Sequence, residues 1–290
     1  ENVAVGAYAL DALTTANHTT AIGYNALSNN TTGTQNTAVG RSALLANVTG
    51  NNNTALGFNA LILSTGSSNT GLGTSVLQSN TSGNDNTGTG RNALASNTTG
   101  NRNVAIGNLV LDGNTTGDNN TAVGYNSLGG NTTGAGNVAV GSEVLDAATT
   151  ASSNTAVGRY ALTNSTTGDL NTAIGFNTMA AAQTADRNVA VGGYALSNYS
   201  ATGDAYVVAV GYGAATNSTT AGQFVAIGNA LGSQTTASYN VAIGYNCLAG
   251  TTTGGSNTAI GRSSMYANQT GNNNVALGYN SLASNTSSLN

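Results

Sequence analysis

Proline and lysine are absent from the 290 residues, and one cysteine and one histidine are present. Charged residues make up 6% of the chain and the net charge is −4. With six arginines as its only cationic side chains, the sequence carries no basic footprint for a nucleic-acid backbone. It also lacks an apolar run near the ~18 residues that suggest a membrane span, so no membrane insertion is expected. No leader-like segment is visible, because residue 1 already lies inside a repeat. Cys247 has no intrachain disulfide partner, and it occupies a slot held elsewhere by Ala26, Ala43 and Ala93. That equivalence reads as a small buried side chain rather than a reactive thiol. Polar, Gly-rich chains are often disordered, but they lack periodic apolar positions and are usually enriched in proline. This one is periodic.

The unit is seen at Asn36–Asn52, which runs Asn-Thr-Ala-Val-Gly-Arg-Ser-Ala-Leu-Leu-Ala-Asn-Val-Thr-Gly-Asn-Asn. Anchored on the Gly after the aliphatic residue, it recurs seventeen times from Gly6 to Gly278. Thirteen of the sixteen spacings are 17 residues, two are 16 and one is 19. A short fixed period marks a repeat architecture in which each unit contacts mainly its neighbours. Residues 1–290 therefore read as a single array, not as a string of globular domains.

Within a unit, Thr37 and Val39 alternate with Ala38 and Gly40, the period of a strand. A second apolar piece follows at Ser42-Ala43-Leu44, then a turn rich in Asn and Gly, which tolerate positive φ. Glycine and β-branched residues oppose a helix. Two short strands and two turns per unit describe one coil of an all-β parallel β-solenoid, with coils rising about 4.7–4.8 Å each. The slot before the anchor is aliphatic from Val5 to Leu277 except at Thr89, and the slot four after it is mostly Leu or Met. Asn recurs four residues before the anchor, as at Asn36, Asn53 and Asn120, and again in the turns at Asn30, Asn97 and Asn131. Superposed Asn side chains can hydrogen-bond amide to amide along a stack.

Two arrangements fit this pattern. If the Ala/Gly face lines a thin tube, the Val/Ile and Leu ladders form outer apolar stripes larger than a soluble monomer normally exposes. A parallel homotrimer would cover them. If the large residues point inward, a monomeric rod suffices. The small residues suit the thin tube better. Neither end resembles a cap, so the chain is expected to be an internal piece of a longer fibre.

No cofactor, metal site or catalytic grouping is expected, because no His/Asp/Ser, Cys/His or paired-carboxylate arrangement repeats. Asp85, Asp118, Asp169, Asp186 and Asp204 read as turn formers. Triplets such as Asn97-Thr98-Thr99 match the glycosylation pattern, but the turn ladder accounts for them. Binding candidates come from the slot just after the anchor, which holds Tyr24, Arg41, Arg91, Tyr125, Arg159, Tyr212, Tyr245 and Arg262. Arg and Tyr there can stack on one another or serve as recognition residues. Residues 194–245 add Tyr194, Tyr199, Tyr206 and Tyr239 where the period breaks, and insertions in solenoids tend to emerge as binding loops.

The phrases Asn36-Thr37-Ala38-Val39-Gly40, Asn188-Val189-Ala190-Val191-Gly192 and Asn257-Thr258-Ala259-Ile260-Gly261 resemble the Asn-Ser-Val-Ala-Ile-Gly repeat of trimeric autotransporter adhesin heads. Thr20–Leu27 with Asn30–Gly33 is more similar to the repeats of bacteriophage tail-fibre shafts. The resemblance implies a left-handed parallel β-roll in a homotrimer, with aliphatic residues meeting near the trimer axis. It further implies an extracellular structural and adhesive role, on a virion tail fibre or a bacterial surface, with a host-surface glycan or protein as receptor. The coils here are longer than those of adhesin heads. An ice-binding solenoid using Thr31, Thr65, Thr81, Thr98, Thr115, Thr132 and Thr166 is an alternative, as is a functional amyloid-like extracellular fibre. A surface glycan hydrolase is a further, weaker one.

Overall fold

The computed structural model describes residues 1–233 and 235–288. The chain forms two compact units, Glu1–Thr150 and Ala151–Asn290. The first holds β1 (Asn2–Val5), β2 (Thr19–Ile22), β3 (Thr37–Val39), β4 (Thr54–Leu56), β5 (Thr70–Leu72), β6 (Thr87–Thr89), β7 (Val104–Ile106), β8 (Thr121–Val123) and β9 (Val138–Val140). Each pairs in parallel with the next, like residue over like residue; β3 sets Thr37, Ala38 and Val39 against Thr54, Ala55 and Leu56 of β4.

The second unit holds β10 (Thr155–Val157), β11 (Thr172–Ile174), β12 (Thr184–Asp186), β13 (Val189–Val191), β14 (Thr202–Asp204), β15 (Val208–Val210), β16 (Val225–Ile227), β17 (Val241–Ile243), β18 (Thr258–Ile260) and β19 (Val275–Leu277). Here β10, β11, β13 and β15 to β19 stack in order, while β12 and β14 form a separate parallel pair. Among the described residues there is no helix. Each unit is a parallel β-solenoid with one strand to a coil, except the two coils of the second unit that also carry β12 and β14.

The strand's small face lines the tube. Ala21, Ala38, Ala55 and Ala105 are fully buried, whereas Ile22, Leu56 and Ile106, one residue later, are exposed. The Leu ladder corrects the expectation that it would lie outside: Leu27, Leu44, Leu61 and Leu94 are fully buried too. So is the expectation of a second strand. Ser42 and Leu44 have φ of 58° and 51°, and the same alternation recurs at Asn25 and Leu27 and at Asn92 and Leu94. In a strand Ala43 and Leu44 would point to opposite faces; with every second residue left-handed the chain turns a corner, and both side chains are buried. A left-handed leucine costs about 1–2 kcal/mol, and burying it returns about 1.5–3 kcal/mol. Coil-to-coil bonds such as Leu27 N–H to the Ala43 carbonyl (3.0 Å) persist through the corner.

The anchor glycines stack as a column. Gly23, Gly40 and Gly57 have φ of +137°, +137° and +140°, a region essentially reserved for glycine. A Cβ added to Gly40 would sit 2.4 Å from the Gly57 carbonyl oxygen. Both the torsion and the close approach require glycine.

Two buried Asn columns replace a thick apolar core. In the column before the strand, Asn36 Oδ1 accepts the Asn53 N–H (2.9 Å) and Asn36 Nδ2 donates to the Gly50 carbonyl (2.8 Å). The expected amide-to-amide contact is present at some rungs, as from Asn103 Nδ2 to Asn86 Oδ1 (3.2 Å), but the main partners are backbone groups of the next coil. The turn column is the amide ladder proper. Asn97, Asn114 and Asn131 each donate to the Asn one coil earlier, at 2.8, 2.7 and 2.7 Å. At Asn131 the column reaches Ala148, leaving the buried Asn131 Oδ1 without a donor. These Asn side chains are fully buried, so the glycosylation triplets that contain them offer no accessible amide in the folded chain.

Cys247 lies in the interior slot anticipated for it, its thiol directed at the Ala259 carbonyl (3.1 Å). Burial pushes the thiol pKa up from 9.0 to about 11. Stability contributed by the neutral thiol is complete below the ordinary value and is lost as pH rises toward about 11. At pH ~8 the native thiol should react with a disulfide reagent roughly a hundredfold more slowly than in denaturant. Comparable rates in the two conditions would place Cys247 outside the interior.

Candidate functional site

The left-handed corner also arranges the outer surface. The aromatic and Arg side chains just after the anchors project outward, and where the second residue after an anchor is aromatic the two kinds of ring meet on one stripe. In the first unit Tyr8 packs edge-on against Tyr24, with centroids 5.8 Å apart. The Arg41 guanidinium lies 5.9 Å from the Tyr24 ring and 5.7 Å from Phe58. Arg91 and Tyr125 are exposed on the same slot. In the second unit Tyr160, Phe176, Tyr194 and Tyr212 form a continuous edge-to-face chain, with centroid separations of 6.1, 5.3 and 5.7 Å. Arg159 rests 4.4 Å from the Tyr160 ring centroid and bonds its hydroxyl (2.6 Å). Farther along, Tyr245 is exposed and Arg262 lies 5.8 Å from the Tyr279 ring.

Sequence spacing missed Tyr8 and Tyr160 because they stand one residue beyond the scanned slot. Their φ of 58° and 61° swings them back beside the neighbouring rings. The available signal was an aromatic at either of two adjacent positions after the anchor.

The break at residues 194–245 is an interior change, correcting the expected protruding loop. Tyr199 takes a position in the turn column where other coils place Asn, and it is fully buried, so it leaves the set of binding candidates. Its hydroxyl donates to the Ala221 carbonyl (2.9 Å), and burial raises its pKa above the ordinary 10.0. Ala182 and Ser218 hold the equivalent positions one coil to either side and leave room for the ring. Val207 and Phe224 replace the other Asn column and are also buried. The 19-residue coil thus accommodates a large apolar interior, and its β14 pairs in parallel with β12 of the preceding 17-residue coil.

Tyr206 and Tyr239 lie elsewhere, on the corner five residues before the anchor. They line an open cleft of about 380 Å³ with Gln223, Phe224, Val225, Asn240 and Val241. At its edge the Tyr206 hydroxyl donates to Asp204 Oδ2 (3.3 Å), Arg187 pairs with Asp204, and the Arg187 guanidinium lies 5.8 Å from the Tyr206 ring.

The remaining polar groups serve the stack. Asp118 and Asp169 accept backbone N–H groups of Asn101 and Ser152, each one coil earlier, at 2.6 Å. Their partners are thus not local to the turn. Thr81, Thr98 and Thr115 donate Oγ1 to the carbonyl of the next coil, each at 2.9 Å. Among the described residues no three His, Cys, Asp or Glu gather as a metal site, and no helix is long and apolar enough to cross a membrane.

The fold and its two aromatic surfaces define a parallel β-solenoid repeat protein with coils of about 17 residues. No protein-family model matches the chain. No curated protein matches its sequence.

Proposed function

We propose that this chain is a structural and adhesive fibre segment that works as a parallel homotrimer outside the cell, in a phage tail fibre or a bacterial surface adhesin. The observation that carries the reading is the exposed aliphatic column on the outer face of the strands, including Val5, Leu56 and Ile106 in the first unit and Ile174, Ile227 and Leu277 in the second. At the rung spacing of a parallel sheet, the outer strand face of the first unit alone amounts to about 400 Å². The second unit carries an exposed stripe of its own, and contiguous apolar patches of this size mark interaction surfaces. A surface ruled at one residue type per rung matches best another surface with the same pitch, so the occupant is a copy of this chain. Closed symmetry then favours a ring of copies over an open filament. The aromatic stripes are left for attachment, and repetition across copies raises avidity. The Thr turn ladder supports an ice-binding face less well, since its hydroxyl protons are committed to carbonyls of the next coil.

Sedimentation equilibrium should give three times the 28.4 kDa chain mass. The pair Leu56→Glu and Ile106→Glu should shift it toward monomer. A monomeric wild-type chain would remove the trimer. For the adhesive half, beads coated with the protein should be retained on at least one of a panel of bacterial and eukaryotic cell surfaces; retention on none contradicts it.

A further inference from the structure

Resting on the adhesive reading, we infer that the cleft between Tyr206 and Tyr239 is a binding site for one ring of a neutral oligosaccharide. The corner five residues before the anchor has positive φ in coil after coil. In the first unit it is filled largely by small or polar residues, as at Gln35 (58°), Asn52 (59°), Ser68 (59°), Asn119 (59°) and Gly136 (69°). Asn and Gly adopt this conformation at least cost, and bulky residues are outliers. Tyr206 and Tyr239 nevertheless adopt it, with φ of 51° and 62°. Neither is buried by the choice: they remain 51% and 63% exposed. Leu170 shares this corner, with φ of 59° and 51% exposure, so what sets the two tyrosines apart is that they are aromatic and line one cleft.

The placement suits a flat, mostly uncharged ligand. The coil between the two tyrosines contributes Gln223, whose N–H bonds the Ala205 carbonyl (2.6 Å) and whose carbonyl accepts the Tyr239 N–H (2.9 Å). The backbones at Tyr206 and Tyr239 therefore stand two rungs apart, about 9.5 Å at sheet spacing. With Gln223 on the rung between them, a sugar ring would lie across the three side chains rather than between the two aromatic faces. The exposed Gln223 side chain between them offers an amide that can both donate to and accept from hydroxyls. Asp204 and Arg187 neutralise each other at the edge, so the cleft presents no unpaired charge to attract an ionic ligand. At about 380 Å³ it is the size of a small-ligand site and far smaller than a protein footprint.

Beneath it lies the feature that distinguishes these coils from the others. Phe224 replaces an interior Asn and forms part of the cleft wall, and Tyr199 and Val207 fill the adjoining coils. Tyr206 stands beside Val207 and Phe224 lies one coil on, so the cleft forms where the interior Asn column is interrupted.

The test uses the full chain and four soluble probes: cellohexaose, maltohexaose, mannohexaose and laminarihexaose, each titrated to millimolar concentration with tyrosine-ring resonances as the readout. Tyr206→Asn and Tyr239→Asn are the informative variants, since Asn fills the same corner at Asn52 and Asn119 and should leave the fold intact. Saturable binding of at least one probe should shift the Tyr206 and Tyr239 signals. Either Asn variant should weaken that binding about tenfold or more, while Tyr206→Phe and Tyr279→Asn retain it. No binding by any probe overturns the assignment, and so does binding that both Asn variants keep. Bead retention that survives both variants and is abolished by protease treatment of the cells would assign attachment to a protein ligand instead, with the adhesive role intact. Soluble sugar binding without bead retention would strike the adhesive reading alone.

Discussion

Gly57→Val is expected to destroy the native stack around its coil. The anchor torsion of +140° is closed to a β-branched side chain, and a Cβ there would lie 2.3 Å from the Gly73 carbonyl oxygen and 2.7 Å from its carbon. Neither obstacle is a flexible side-chain end that could move aside. The two effects together should cost at least about 4 kcal/mol, read as a large fall in urea midpoint or as failure to yield soluble protein. The two causes can be separated at Gly278, the last anchor, where φ is +118° and no atom lies within 4 Å of an added Cβ. Gly278→Ala reports torsional strain alone, and Gly57→Ala reports strain plus collision. Equal losses in the two variants would show that close stacking of the column does not matter.

Asn97→Ala is expected to be nearly as damaging, although it deletes no hydrophobic surface. The Asn97 amide donates to Asn80 Oδ1 (2.8 Å) and to the Gly100 carbonyl (3.0 Å), and it accepts from Asn114 Nδ2 (2.7 Å). Truncation leaves Asn80 Oδ1 without its donor, while the Gly100 carbonyl keeps Asn86 Nδ2 and Asn114 Nδ2 keeps the Gly117 carbonyl. One buried group left unsatisfied, with two bonds to others lost, should cost about 2–3 kcal/mol. Asn97→Asp adds a pH signature. A carboxylate facing the Asn80 Oδ1 and Gly100 oxygens favours its protonated form, which raises its folded pKa above the ordinary ~3.9. Stability of that variant should therefore fall as pH rises from about 4 to 7. A flat profile, or a loss under about 1 kcal/mol for Asn97→Ala, would show that the column is hydrated rather than dry.

These two sites also show how far the sequence could be read. The Gly anchors and the Asn columns were legible because an interior built by superposition repeats in sequence at the pitch of the coil. The inward Ala38 and outward Val39 followed from strand alternation. Leu44 did not, because its inward direction depends on two left-handed residues that propensity would place only in Gly or Asn. The same torsions moved Tyr8 and Tyr160 onto the aromatic stripe beyond the slot where spacing alone locates it. Tyr199 was misjudged for another reason. An aromatic at an irregular coil looks like decoration until one sees that Ala182 and Ser218 leave room for it inside.

The amide ladder is tolerant of length in a way that a conventional core is not. Within the run from Asn80 to Asn131, Asn97 and Asn114 each meet an Asn on either side, one coil away. Copying or deleting a whole coil within that run restores every bond it interrupts. Slipped replication of the corresponding gene segment would thus yield longer or shorter molecules that fold at once. Reach could be altered by inheritance in single steps, with no compensating substitution.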